Sequence, residues 1–262
     1  MKALAKSLIR SVGLEVRRLP QPVALHREQG LGFFQTSRGP VYLPLNAPND
    51  SIAAHMRRGE LFEPEVIELA RRIIRPGTTV LDLGSNFGQM TMEFSRAVGP
   101  QGRVYAFEAQ GRVFEILKKN IEANDLRNIE AVFAAVLDES GKVFRFPEPD
   151  WSRFATYGSF NLPLDSKQGQ EVTSIRIDDL IFERPISFMK VDVQGCDLFA
   201  MRGARETILR HRMPILFEFE QRFQEIYKTS FQEYVDFVNS INYQFAETVL
   251  DINFLIVPKQ AD

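Results

Sequence analysis

The clearest periodicity in the chain begins at Pro64, where EVIELARRII sets Val66, Ile67, Leu69, Ala70 and Ile73 on one helical face before Pro76-Gly77 stops the helix. A β-branched, apolar run from Thr79 to Leu83 follows at once. A glycine-containing turn then opens a helix near Met90, and Arg103 to Phe107 repeats the strand signature, which makes a βαβ unit. A helix over 111–124 carries Val113, Phe114, Leu117 and Ile121, and further apolar strands are expected at 129–136, 187–193 and 214–219. Helices are expected around 206–210 and at 231–240, and 243–246 with 253–257 reads as a closing pair. These are seven principal strands. Their alternation with helices predicts an α/β fold with a mostly parallel sheet.

Two stretches stand outside this rhythm. Residues 1 to about 60 read as a helix followed by short extended pieces, punctuated by Pro20, Pro22, Gly30, Gly32, Gly39, Pro40, Pro44 and Pro48. They are expected to form an appendage or lid outside the core, leaving 61–262 as the main domain. Residues 138–180 hold the extended-looking segments VFRF and VTSIRI around a loop rich in Gly, Ser and Pro, and read as an insertion near the active site.

The balance of 44% hydrophobic and 25% charged residues is that of an ordinary globular protein, neither disordered nor membrane-spanning. With 32 basic against 34 acidic side chains there is no global attraction for a phosphate backbone, so nucleic acid is not an expected partner. The single cysteine, Cys196, provides neither a disulfide framework nor a thiolate metal cluster and suits a reducing compartment, here taken as the cytoplasm. The opening MKALAKSLIRSVGLEVRRLP lacks the apolar run of a signal peptide or spanning helix. Leu4, Leu8 and Val12 at helical spacing, with Lys2, Lys6 and Arg10 between them, suit either a helix packed on the domain or one lying on a membrane surface or a partner.

The most specific local signal is VLDLGSNFGQ at 80–89, a buried strand ending in Asp82-Leu-Gly84-Ser85-Asn86-Phe-Gly88 before a helix. Gly84 and Gly88 allow a sharp turn and close approach of a ligand, and Asn86 tolerates positive φ. The G-x-G-x-x-G spacing of dinucleotide sites is absent, and Asp82 would repel a diphosphate but attract a methionine ammonium, which favours a cationic nucleoside. Glu108 closes the second strand, placed to accept hydrogen bonds from two ribose hydroxyls, and the small Ala134 and Ala135 in FAAVLD leave space for an adenine ring.

With these elements placed, the chain resembles the class I S-adenosylmethionine-dependent methyltransferases, and within them the FkbM family. The carriers are D-x-G-x-N-x-G at 82–88, V-Y-A-F-E at 104–108, L-K-K-N-I-E-A-N at 117–124, A-A-V-L-D-E-S-G at 134–141, I-D-D-L at 177–180 and M-K-V-D-V-Q-G at 189–195. The resemblance implies a Rossmann-like sheet ordered 3-2-1-4-5-7-6 with strand 7 antiparallel. It also implies S-adenosylmethionine as cofactor, held by Asp82, Gly84, Asn86, Gly88 and Glu108, with Ser85 of the loop and Ala135 of the third strand end as further candidate contacts, and O-methylation of a hydroxyl on a sugar, glycan, polyketide or related small molecule. The chain departs from the pattern where family members usually carry an acidic residue at the place of Gln194 and Gly-Ala-Glu at the place of Gly195-Cys196-Asp197. Two other readings stand beside it, a nucleotide-dependent oxidoreductase using the same crevice and a non-catalytic member that binds the cofactor without turnover.

Methyl transfer to a hydroxyl calls for alignment and for a general base. Asp192, at the end of the MKVDV strand, is the leading candidate; it could equally bind the methionine ammonium or orient Lys190. His55 is a second candidate base, with a solvated surface histidine as its alternative. Glu218 and Glu220 could join Asp192 around a divalent cation, but the Asp-Asn pair of catechol-type enzymes is missing and no metal is expected. Trp151, Phe154, Tyr157 and Phe160 of the insertion suit either stacking on a sugar or packing of their own loop.

Overall fold

Residues 79–83 and 186–191 are buried at every position, on both faces, which is why they read as unbroken apolar runs and sit at the centre of the sheet. The computed structural model describes residues 22–47, 49–147, 162 and 165–260. The basic N-terminal stretch and Trp151, Phe154, Tyr157 and Phe160 lie outside the described residues.

The described chain opens with β1 (His26–Glu28), β2 (Leu31–Thr36) and β3 (Gly39–Pro44), an antiparallel sheet, and then α1 (Ser51–Arg58). Next come α2 (Pro64–Ile73), β4 (Thr79–Leu83), α3 (Gln89–Val98), β5 (Arg103–Glu108), α4 (Gly111–Ala123) and β6 (Ile129–Phe133). The insertion supplies β7 (Ala135–Val136), β8 (Val143–Phe146) and β9 (Gln170–Ile175). The chain closes with β10 (Ile186–Val191), α5 (Asp197–Arg202), α6 (Arg205–His211), β11 (Ile215–Glu218), α7 (Gln224–Tyr227), α8 (Phe231–Ser240), β12 (Tyr243–Val249) and β13 (Asn253–Pro258).

The main sheet runs β6-β5-β4-β10-β11-β13-β12, with β13 antiparallel to both neighbours and the five strands from β6 to β11 parallel. This is the expected 3-2-1-4-5-7-6 order. The order reverses between β4 and β10, so a crevice opens at the carboxyl ends of those two strands, the place where open α/β sheets collect ligands.

One expectation needs correction. The single strand expected over 129–136 breaks at Ala134, whose N–H donates to the carbonyl of Glu108, and Ala135–Val136 turn away to pair with β9 in a separate sheet β7-β9-β8. The N-terminal segment packs on the main domain through a cluster of its own, separate from the two cores that flank the main sheet. Leu31, Phe34, Val41, Leu43, Ala53 and Met56 share one apolar cluster with Phe87, Met92, Val113 and Ile116. The alternation of buried and partly exposed residues in β2 and β3 gives their sheet one apolar face, which covers α4. Asn120 of α4 makes the link polar as well: its Oδ1 accepts from Tyr42 N–H at 2.6 Å and its Nδ2 donates to the carbonyl of Phe87 at 2.8 Å. No described helix is long and apolar enough to cross a membrane.

Leu43 is fully buried in this shared cluster. Leu43→Ala is therefore expected to cost about 2–5 kcal/mol of global stability. A single urea transition shifted to lower midpoint is the expected result, and an unchanged midpoint would show that residues 26–58 unfold apart from the sheet.

Candidate active site

The end of β4 lies hard against the end of β10. Asp192 N–H donates to the carbonyl of Leu83 at 2.9 Å, while Gly84 and Ser85 N–H both donate to the carbonyl of Phe107, each at 2.9 Å. Gly84 has φ 84°, and a Cβ there would sit 1.8 Å from the carbonyl oxygen of Asp192. Asn86 takes φ 51°, and Gly88, at φ 88°, would place a Cβ 2.6 Å from Leu117. The glycines are thus required by protein neighbours as well as by the turn, a reason different from the expected approach of a ligand.

Glu108 lies opposite the loop. Its Oε2 accepts from Asn86 N–H at 2.9 Å and its Oε1 from Gln110 N–H at 2.8 Å, so the carboxylate is clipped to backbone on both oxygens. Burial pushes its carboxyl up to about 7, against the pull of these amide donors. Beside it a cavity of about 250 Å³ opens at the carboxyl edge of the sheet. Gly84, Ser85, Asn86, Glu108 and Ala135, with Ala134, all line it, and Asp192 lines the far side.

Three expected site residues do not line this cavity. Asp82 is fully buried; it pairs in the sheet with Lys190 and Ala106, and Thr91 Oγ1 donates to its Oδ2 at 2.5 Å. Its Oδ1 is buried with no hydrogen-bond partner among the described residues, and burial raises its pKa despite the nearby Lys190. It therefore faces the interior, because it is a strand residue one position before the strand ends. His55 donates through Nδ1 to the carbonyl of Ser51 at 2.7 Å and meets the ring of Phe62 edge-on at 5.7 Å, which occupies it within its own helix and neighbouring loop. Gly88 packs on Leu117 behind the loop.

The far side of the cavity is a carboxylate cluster around one buried cation. Lys190, 4% exposed, donates to Asp192 Oδ2 at 2.9 Å. Burial opposes its charge, but the carboxylates of Asp192 and Asp82 outweigh that and hold its pKa above the ordinary lysine range. Burial acts to raise the pKa of Asp192, yet the Lys190 ammonium prevails and holds it below the usual value. Gln194, in the left-handed region at φ 53°, donates through Nε2 to Asp192 Oδ1 at 2.8 Å and to Glu218 Oε2 at 3.2 Å. Glu218 is pushed well above the carboxylate range, by burial first and then by Asp192. At the rim, Arg222 donates to Glu220 Oε1 at 2.6 Å and to Gln194 Oε1 at 3.4 Å. Asp197 accepts from the N–H groups of Val193 at 3.2 Å and Gly195 at 3.0 Å, fixing the turn after β10. Among the described residues, no three His, Cys, Asp or Glu groups gather in a way that could hold a metal ion.

Glu63 also lines the cavity, and nothing in the sequence reading singled it out. Pro64 keeps its neighbour out of the right-handed helical region, but the usual consequence is extended backbone, and Glu63 instead takes φ 51°, ψ 60°, which no sequence signal foretells.

The sequence profile of the Methyltransferase FkbM domain matches residues 82–245. The chain belongs to the FkbM methyltransferase family. Among curated proteins, the chain is 36% identical over 70 residues, 27% of its length, to a probable cobalt-precorrin-6B C(15)-methyltransferase (decarboxylating) of Sulfolobus acidocaldarius. It is 28% identical over 116 residues, 43% of its length, to a tRNA (adenine(58)-N(1))-methyltransferase catalytic subunit of Cryptococcus neoformans var. neoformans. The matched stretches span 36% and 27% of those two proteins. Among solved structures, the FkbM methyltransferase from Methylobacillus flagellatus aligns over 72% of this chain and 49% of its own with 16% identity and a TM-score of 0.47. An O-methyltransferase from Bacillus cereus aligns over 76% of this chain and 83% of its own, with 17% identity and a TM-score of 0.46.

Gly84→Ala and Gly77→Ala separate the two demands on glycine. Both positions have positive φ, worth about 1–3 kcal/mol on substitution, but nothing lies within 4 Å of a Cβ at Gly77. Gly84→Ala should lose about 1–3 kcal/mol more from the collision with Asp192. Equal losses in urea denaturation would contradict that contact.

Proposed function

We propose that this methyltransferase transfers the methyl group of S-adenosylmethionine to a hydroxyl of a sugar, glycan, polyketide or related small molecule. The observation that carries this reading is that two differently held sets of carboxylates face one cavity: Glu108, clipped by backbone amides, at one end, and Asp192 with Glu218 and Lys190 at the other.

The residues present fit the cofactor. Each Glu108 oxygen accepts one amide N–H and keeps capacity for a second donor, which suits the vicinal hydroxyls of a ribose. The small side chains of Ala134 and Ala135, with Phe107, offer a flat apolar wall for an adenine. Gly84, Ser85 and Asn86 form the loop wall, and Gly88 acts behind it by letting the turn seat on Leu117. Bound there, S-adenosylmethionine supplies an electrophilic methyl carbon on a sulfonium.

Asp192, locked by Lys190 and Gln194, is suited to a fixed anion beside the cationic end of that molecule. Its depressed pKa makes it a weak proton acceptor. Asp82 acts through Lys190, holding the ammonium that in turn holds Asp192. The carboxylates around the acceptor space suit a nucleophile that must lose a proton, as an alcohol must.

Glu108→Ala should leave a folded protein and lower S-adenosylmethionine affinity at least tenfold in calorimetry, since two ribose hydroxyls lose a charged acceptor; unchanged affinity would remove Glu108 from the site. Because burial holds its carboxyl near 7, wild-type affinity should rise as pH is raised through that value. Incubating the protein with methyl-tritiated S-adenosylmethionine and a small-molecule cell extract should give label that hot hydriodic acid releases as methyl iodide, the signature of an O-methyl group. Label that resists release would refute the hydroxyl acceptor.

A further inference from the structure

We propose that Glu63 is the general base that takes the proton of the acceptor hydroxyl. This rests on the hydroxyl-methylating function proposed above and assigns a part of the reaction that Asp192 is poorly placed to perform.

Glu63, Glu108, Asp192, Glu218 and Glu220 all line the cavity. Four of them are engaged. Glu108 is bound by two backbone amides, Asp192 by Lys190 and Gln194, Glu218 by Gln194, and Glu220 by Arg222. Among the described residues, no hydrogen bond or ion pair is made by the Glu63 carboxylate. A base must keep a lone pair free for the incoming proton, and among the described residues Glu63 is the one carboxylate facing this cavity whose two oxygens have no hydrogen-bond or ion-pair partner.

Its approach is also different. The other four leave the carboxyl edge of the sheet, whereas Glu63 enters ahead of α2 from the segment that joins the N-terminal sheet to the main one. Its left-handed backbone is held from one side by a pair of hydrogen bonds: Phe62 N–H donates to Gln89 Oε1 at 3.1 Å, and Gln89 Nε2 donates to the carbonyl of Phe62 at 2.9 Å. Gln89 is the first residue of the helix after the glycine loop, so the free carboxylate and the loop wall are tied together. A non-glycine residue held at positive φ beside a cavity is strain of the kind that surrounding structure must maintain.

The charged groups that face Glu63 are Asp192 and Lys190 of the β10 end, Glu65 of its own helix and Glu220 beyond β11. Burial, with Asp192 next, pushes its carboxyl up to about 7, near the pH at which a cytosol-like solution would place it half-ionised. In the transfer the acceptor O–H bond breaks and its proton passes to the Glu63 carboxylate. The oxygen forms its bond to the methyl carbon, and the pair of the breaking S–C bond stays on sulfur, which becomes a neutral thioether. Glu63, now neutral, returns the proton to solvent.

The test uses the full chain, methyl-tritiated S-adenosylmethionine at saturation and the same small-molecule extract. Glu63→Gln should slow formation of hydriodic-acid-releasable label at least a hundredfold at pH 8, with S-adenosylmethionine affinity within threefold of wild type by calorimetry. The wild-type rate should fall tenfold per pH unit below about 7, where the base becomes protonated, and this limb should vanish in Glu63→Gln. Carbon-13 carboxyl NMR gives a readout independent of turnover: the resonance missing from Glu63→Gln should titrate near 7 in the wild type. Unchanged rates, a surviving acidic limb, or titration in the ordinary range near 4.5 would overturn the assignment. Efficient wild-type transfer to products that hydriodic acid does not cleave would instead defeat the hydroxyl reading, and the base would fall with it.

Discussion

A carbonyl oxygen occupies the space that any side chain at residue 84 would need. The contact between Gly84 and Asp192 holds the ends of β4 and β10 together at the point where the strand order reverses, and every other part of the site takes its position from it. With Gly84 and Ser85 both bonded to the carbonyl of Phe107, the turn is pinned on its other side to β5, which presents Glu108. Three adjacent strand ends are thereby fixed before any ligand contact is considered, the form of pre-organisation that transfer by alignment requires.

The electrostatics follow from one buried lysine. Lys190 lies between Asp82 below and Asp192 above, and an ammonium removed from water is tolerated only because both carboxylates attend it. Asp192 consequently stays ionised, and Glu218 beside it is driven toward the neutral form. Gln194 mediates between them with a neutral amide. An acid at that position, as the family resemblance leads one to expect, would add a third carboxyl within hydrogen-bond range of the first two, so the amide here reduces repulsion without giving up the bridge.

The sheet was legible because its central strands are buried on both faces and its helices keep a 3.6-residue rhythm; the order of seven strands follows once the family resemblance is accepted. Glu108 and the glycine loop were legible because a strand end and a turn impose residue types locally. That Asp82 is set back from the cavity was not legible, for want of a single register position: a strand residue two places before the turn faces the interior as readily as the crevice, and the pairing with Lys190 and Ala106 places it. His55 could not be judged from sequence because its partner is a carbonyl of its own helix. The break at Ala134 and the burial of β2 and β3 depend on contacts with residues far along the chain, which no local pattern encodes. Glu63 was invisible for a related reason, since its lack of partners among the described residues is a property of everything around it.

The bridge made by Asn120 also bears on how the chain assembles. The β2–β3 hairpin is synthesised ahead of part of the surface that covers its apolar side: Val113, Ile116 and Asn120 emerge roughly seventy residues later, several seconds at ribosomal speed. Over that interval Leu31, Phe34 and Leu43 have only Ala53 and Met56, and later Phe87 and Met92, to cover them, so the hairpin waits partly exposed to chaperones and to its own neighbours until the 111–123 helix arrives.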